Sequence, residues 1–169
     1  MDVTTYREAV LAHTDRVFGY AARLLADRDE ARDVAQESFV RLWAHRERVP
    51  GVADARAWLL KTAHNLCLDR LRAPAGGGDD AALLGSIVDP VALSPEARAS
   101  NRELGQALAS TLAALVPRDR AVLLLRDVEG LSYDEMAEVL GVPLGTLKAI
   151  LHRARERARL RLTASGVLP

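Results

Sequence analysis

Apolar side chains return every three or four residues along almost the whole of this chain, a spacing that admits helices and leaves no room for strands. Val10, Val17 and Leu24, flanked by Leu11, Phe18 and Leu25, draw one stripe on a helix expected over Tyr6 to Leu25. Asp27 stands where a carboxylate caps free backbone amides, with Glu30 placed for the reciprocal capping-box contact. Behind them Ala31, Val34, Ala35, Phe39, Leu42 and Trp43 form the stripe of a second helix. Pro50 and Gly51 break the chain. Asp54 is then placed to cap a third helix reaching about Arg72, with Trp58, Leu59, Ala63, Leu66 and Leu71 available for burial. Three amphipathic helices on short connections make a small bundle.

The pattern lapses after Arg72. Ala-Pro-Ala-Gly-Gly-Gly-Asp-Asp opens a stretch over residues 73–93 that has chain breakers and no period, and it reads as a flexible linker. Leu83, Leu84, Ile87, Val88, Val91 and Leu93 within it are available for docking. A loop of some 20 residues is foreign to a single compact domain, so the chain divides here. The expectation is an all-α protein: a helical domain over 1–72, the linker over 73–93, and a second helical domain over 94–169, the two domains moving independently.

The second domain opens at Ser94-Pro95-Glu96, a cap, a first-turn proline and a first-turn acid, and its first helix extends to about Val116. Pro117 starts another helix that ends before Gly130. Ser132-Tyr133-Asp134-Glu135 is a full capping box, and the short helix behind it ends at Leu140 with Gly141 as a left-handed stop. Val142-Pro143 turns the chain into a last helix from about Leu144. Ala137 is small where two helices would cross, and Met136, Leu140, Val142, Leu147 and Ile150 stand at offsets that lock a large angle between them. This is the layout of a helix-turn-helix, which presents its second helix to the DNA major groove.

Charge supports that direction locally and not globally. The 23 basic and 23 acidic residues cancel, which excludes bulk attraction to nucleic acid or membrane. Lys148 to Arg161, however, carries Lys148, Arg153, Arg155, Arg157, Arg159 and Arg161 against Glu156 alone, a phosphate-binding surface in outline.

Two separated blocks resemble the extracytoplasmic-function (ECF) sigma factors of bacterial RNA polymerase. One is Asp29-Glu30-Ala31-Arg32-Asp33-Val34-Ala35-Gln36-Glu37-Ser38-Phe39-Val40-Arg41-Leu42-Trp43, continued by Ala57 to Asn65 and Asp69-Arg70-Leu71-Arg72. The other runs from Gly130-Leu131-Ser132-Tyr133-Asp134-Glu135 through Gly145-Thr146-Leu147-Lys148 to Leu151-His152-Arg153-Ala154-Arg155. The resemblance implies a promoter-recognition subunit whose partners are core RNA polymerase, promoter DNA and an anti-sigma factor, with no cofactor and no membrane insertion. It assigns polymerase binding to Asp33, Gln36, Glu37, Val40 and Arg41 on the second helix. Contact with the minus-ten element falls to Arg56, Lys61, Asn65, Arg70 and Arg72, with Asn65 at the pocket for an unstacked base. The minus-thirty-five element falls to Thr146, Lys148, His152, Arg153 and Arg155. Two departures stand out. Relatives follow Arg72 with further basic residues, where this chain has Ala73-Pro74-Ala75, and their Lys-Ser-Arg in the last helix is here Lys148-Ala149-Ile150.

Other chemistry finds little support. His64 and Cys67 lie on one helical face but are two ligands where zinc needs four, so a core or boundary position suits both. His13 and His45 are isolated. Gly76-Gly77-Gly78 precedes no Gly-Lys-Ser/Thr, and nothing groups a nucleophile with a base, so an enzyme is not expected. With one cysteine, no membrane-length apolar run and no secretion signal at the start, the expected location is cytoplasmic. A stand-alone helix-turn-helix regulator and a sigma-like decoy for an anti-sigma factor remain alternative readings.

Overall fold

In the computed structural model, residues 1–73 and 95–167 are described, with the side chains of 95–101 left aside. The linker read over 73–93 and the Ser94 cap therefore lie outside the described residues, apart from Ala73 itself. Every regular element among those residues is helical: α1 (Val3–Leu25), α2 (Arg28–Ala44), α3 (Val52–Arg72), α4 (Pro95–Ala113), α5 (Pro117–Leu123), α6 (Tyr133–Leu140) and α7 (Leu144–Ala164). A short 3-10 turn, Arg46–Arg48, joins α2 to α3, and a π turn, Leu124–Val128, extends α5.

The first three helices pack mutually into a bundle. Val17, Tyr20 and Leu24 of α1, Val34 and Leu42 of α2, and Leu59, Leu60 and Ala63 of α3 are its buried centre. Each such aliphatic side chain contributes roughly 2 kcal/mol through removal from water. Between α1 and α3, buried Tyr20 and His64 share a hydrogen bond of 2.8 Å. His64 and Cys67 are both core residues, and burial pushes the Cys67 thiol up to about 12.

Several local expectations give way to packing. α1 starts at Val3, earlier than Tyr6, because Asp2 accepts from the Thr5 amide and caps it. Leu11 is 75 % exposed and lies off the stripe. Asp27 does cap α2, accepting from the Asp29 and Glu30 amides, but Glu30 does not close a box; it turns to Arg70 of α3, 2.6 Å away. Trp43 is 37 % exposed at the bundle rim, edge-on to Tyr6 and beneath the Arg46 guanidinium. Asp54 caps nothing: Gly51 takes the cap position of α3 without a side-chain bond. Leu71 is exposed, and Trp58 is only partly buried against the core.

In the second domain α5, α6 and α7 bury Leu124, Leu125, Met136, Leu147, Ile150, Leu151 and Ala154, with α4 laid against α7. α4 stops at Ala113, short of Val116, and Arg120 explains how that turn holds. Its buried guanidinium donates to the carbonyls of Leu112, Ala113 and Leu115, and also to Leu24 at the C-terminal end of α1, 2.6 Å away. The Leu24, Leu112 and Ala113 carbonyls lie in the last turns of α1 and α4, where the helix itself has no amide to offer, and Leu115 lies in the turn beyond α4. The two bundles are thus in contact, and their buried side chains form one continuous cluster.

Two stability effects follow. Burial holds the His64 imidazole down at about 4 against an ordinary 6.5, with Arg72 adding repulsion. The unfolded chain takes up that proton first as pH falls, so the stability is complete above pH 6.5 and is lost toward pH 4. Urea unfolding is expected to show a loss of about 2 kcal/mol between pH 7 and pH 5, and His64→Gln to flatten that slope. Ile150, 3 % exposed, belongs to the core of the second domain. Ile150→Arg is expected to cost about 3 kcal/mol in the same assay, the penalty of an unpaired charge in a core.

Candidate nucleic-acid and partner interfaces

The helix-turn-helix geometry is built locally. Glu135 donates its amide to Ser132 Oγ at 3.2 Å, and one oxygen of the Glu135 carboxylate accepts the Ser132 amide at 2.7 Å, so both halves of the capping box are present. The Ser132 amide, with help from Arg56, holds the Glu135 carboxyl below its usual range. Gly141 closes α6 at φ +64°, a left-handed conformation in which a Cβ is strained. The Val142 amide returns to the Ala137 carbonyl at 3.2 Å, completing the turn, and the Pro143 carbonyl accepts the Leu147 amide at 2.9 Å, closing the first turn of α7.

Leu147, Ile150, Leu151 and Ala154 form the packed face of α7. The opposite face leaves Thr146, Lys148, Ala149, His152 and Arg153 exposed at its N-terminal end. Of the Lys-Ala-Ile departure, then, Ile150 is a packing residue and Ala149 stands on the open face. Lys148 Nζ lies 5.7 Å from the centre of the Tyr133 ring, which the Arg126 guanidinium approaches to 4.8 Å. Arg155 points along the same flank and forms a two-pronged pair with Asp127, which raises its pKa. Arg157 pairs with the buried carboxylate of Asp119, and Arg159 with Glu156. The basic run of α7 is therefore half neutralised by partners that no local pattern announces.

On the other flank Arg153, Arg157 and Arg161 line an open groove of about 770 Å³ together with Arg118, Leu115 and Leu160. Sequence reasoning left this groove unmarked, because the turn after α4 and the start of α5 meet α7 there from a distant part of the chain.

In the first domain Asp33, Gln36 and Arg41 are exposed on one face of α2, with Val40 61 % exposed among them. Glu37 is partly covered, 2.6 Å from Arg41 and 3.7 Å from Arg70. Beside this face a groove of about 410 Å³ opens between α1 and α2, lined by Phe18, Arg28, Arg32, Gln36 and Phe39.

The residues read as a minus-ten surface are dispersed in their engagements. Asn65 is exposed on α3. Arg70 reaches back to Glu30 and Glu37 on α2, and Arg72 lies 3.9 Å from Asp69. Arg56 and Lys61 cross to the other domain. Arg56 donates to Glu135 at 3.1 Å and Lys61 to Glu138 at 3.2 Å, both acceptors on α6. Among the described residues no group of three or more His, Cys, Asp or Glu side chains is arranged to hold a metal ion. No helix among them is long and apolar enough to cross a membrane.

Comparison with known proteins accounts for both halves. Residues 9–75 match the family model for sigma-70 region 2, and residues 105–157 match that for sigma-70 region 4. The ECF RNA polymerase sigma factor SigL of Mycobacterium tuberculosis is 35 % identical over 162 residues, covering 92 % of this chain and 87 % of that protein. The ECF RNA polymerase sigma factor SigE of Mycolicibacterium smegmatis is also 35 % identical over 92 % of this chain, which spans 60 % of that relative's length. Among solved structures, the sigma factor RpoE of Bartonella quintana, in complex with the anti-sigma factor NepR, superimposes with a TM-score of 0.73 at 25 % identity, covering 95 % of this chain and 98 % of that one. With two sigma-70 regions in order on two helical domains, and relatives this close over nearly its full length, the chain belongs to the ECF RNA polymerase sigma factors.

Proposed function

We propose that this chain is a sigma factor in the working sense: it binds core RNA polymerase, directs it to promoters, and is held inactive by an anti-sigma factor until needed. The observation that carries the reading is the order of the two matched regions, the second ending in a helix-turn-helix whose outer face is open. Such a protein is non-catalytic and works in the cytoplasm. Its anti-sigma partner is inferred from the RpoE relative, which was solved with one bound.

On this reading Thr146, Lys148, His152, Arg153 and Arg155 face the minus-thirty-five element. Their exposure on α7 favours that role for the first four, while Arg155 must leave Asp127 or act as a brace for the helix. Arg56, Lys61, Asn65, Arg70 and Arg72 serve the minus-ten element, phosphates for the cations and an unstacked base for Asn65. Asp33, Gln36, Glu37, Val40 and Arg41 meet the polymerase. An exposed valine ringed by charge and amide suits a docking face that is apolar at its centre and polar at its rim.

The decisive test is run-off transcription with purified chain and core enzyme on a library of random promoter sequences. Transcripts dependent on the chain and enriched in one two-part motif are the expected result. Binding to core enzyme without enrichment would move the reading to a decoy, and motif binding without core enzyme would move it to a free-standing regulator. A second prediction concerns α2. Asp33→Ala with Gln36→Ala is expected to leave stability within about 0.5 kcal/mol per site, since both are exposed. Affinity for core enzyme, measured by surface plasmon resonance, is expected to fall.

A further inference from the structure

The opening turns of α7 carry their charge at the edges and not at the centre. Successive residues of a helix stand about 100° apart, so buried Leu147, Ile150, Leu151 and Ala154 place the mid-line of the exposed face directly opposite them. Gly145, Ala149, His152 and Glu156, all exposed, fall within about 30° of that mid-line. Lys148, Arg153 and Arg155 fall about 70–90° to either side of it. On one flank Lys148 lies 5.7 Å from the centre of the Tyr133 ring, and Arg155 is committed to both oxygens of Asp127. On the other, Arg153 lines the groove it shares with Arg157 and Arg161. Flank cations are placed for the phosphates on either side of a groove, which position a helix without reading sequence. Over the mid-line of the first three turns there is no lysine or arginine, and so no fork for guanine, the commonest specific contact. Gly145 offers no side chain. The first group that the mid-line presents to a base edge is the bare methyl of Ala149.

We propose that Ala149 is a specificity-determining residue: its methyl packs against the C5 methyl of a thymine in the minus-thirty-five element, so that one base pair there is selected by apolar contact and not by a hydrogen bond. The proposal rests on the sigma-factor reading for the DNA that α7 meets. Its physical basis is the short list of what a methyl can do in a major groove. It neither donates nor accepts, and the one apolar group displayed there is the thymine methyl, against which it excludes water. The size of the preference follows. Withdrawing one methyl from water corresponds to a two- to about fourfold ratio in affinity. Because the contact is to a base and not to a phosphate, it leaves the salt dependence of binding alone.

The test uses the full-length chain with core enzyme, on the two-part motif enriched from the random promoter library. Each thymine of the upstream half is replaced in turn by deoxyuridine, which lacks the C5 methyl and keeps the O4 acceptor. Competitive binding is measured for the wild type, for Ala149→Gly, which removes the methyl from the protein instead, and for Lys148→Ala. One thymine is expected whose replacement weakens wild-type binding two- to about fourfold and leaves Ala149→Gly binding unchanged. Lys148→Ala is expected to weaken binding to every DNA alike and to keep the deoxyuridine penalty. A glycine loosens the helix for all sequences equally, so the readout is the ratio between thymine and deoxyuridine, which a merely structural effect does not move. A penalty of the same size in the wild type and in Ala149→Gly overturns the proposal, as does the absence of any thymine at which replacement matters; in both cases the sigma reading stands. Failure to enrich any motif with core enzyme present overturns the sigma reading, and the methyl contact falls with it.

Discussion

The arrangement of the molecule depends on one buried guanidinium. Arg120 places its donors against four backbone carbonyls, three in the turn from α4 to α5 and one at the end of α1. A cation at the C-terminal end of a helix also meets the negative end of the helix dipole, so the contact to Leu24 is favourable twice over. Leu112 also accepts the Leu115 amide, but leaving the other three carbonyls without a donor would be costly. The side chain therefore defines the corner at which the second domain begins. From that corner α5 packs against α7, and α7 with the π turn carries α6 against α3.

The second domain separates its tasks by face. The packed face of α7 sets the angle of the helix-turn-helix, the outer face is left open, and each flank is braced by an aromatic ring or a carboxylate from a neighbouring helix. Bracing of that kind reduces the rotamer freedom a side chain has to surrender on binding. It also lowers the net positive charge of the surface, leaving few cations, whose positions are set beforehand.

What could be read from the sequence was what the chain decides within a few residues. The Ser132–Glu135 box, the left-handed Gly141 and Pro117 at the head of α5 are all local, and all three hold. The helical class and the packing role of Ile150 follow from periodicity, which samples burial directly. Partnerships across the fold left no such trace. Glu30 has a capping partner available three residues away, yet an arginine forty residues on takes its carboxylate instead. Asp54 sits at a plausible cap and is passed over because the helix starts one turn earlier. Arg56 and Lys61 read as free cations because the glutamates that meet them are 79 and 77 residues distant. The groove of arginines beside α4 was illegible for the same reason: it belongs to no single segment.

The π turn at Leu124–Val128 carries a consequence for how this chain tolerates change. The Glu129 amide bonds to the Leu124 carbonyl, five residues back instead of four, at 2.8 Å. One additional residue in a helical turn rotates everything after it by roughly 100°. That rotation is what brings Glu129 inward to Arg16 while Arg126 lies against Tyr133 and Asp127 faces α7. The number of residues between Pro117 and Gly130 thus acts as a phase setting shared by both domains. Substitutions that keep the count leave that phase alone, whereas an insertion or deletion of a single residue, harmless to helix propensity, would put the Glu129–Arg16 contact and the seating of α7 out of register together.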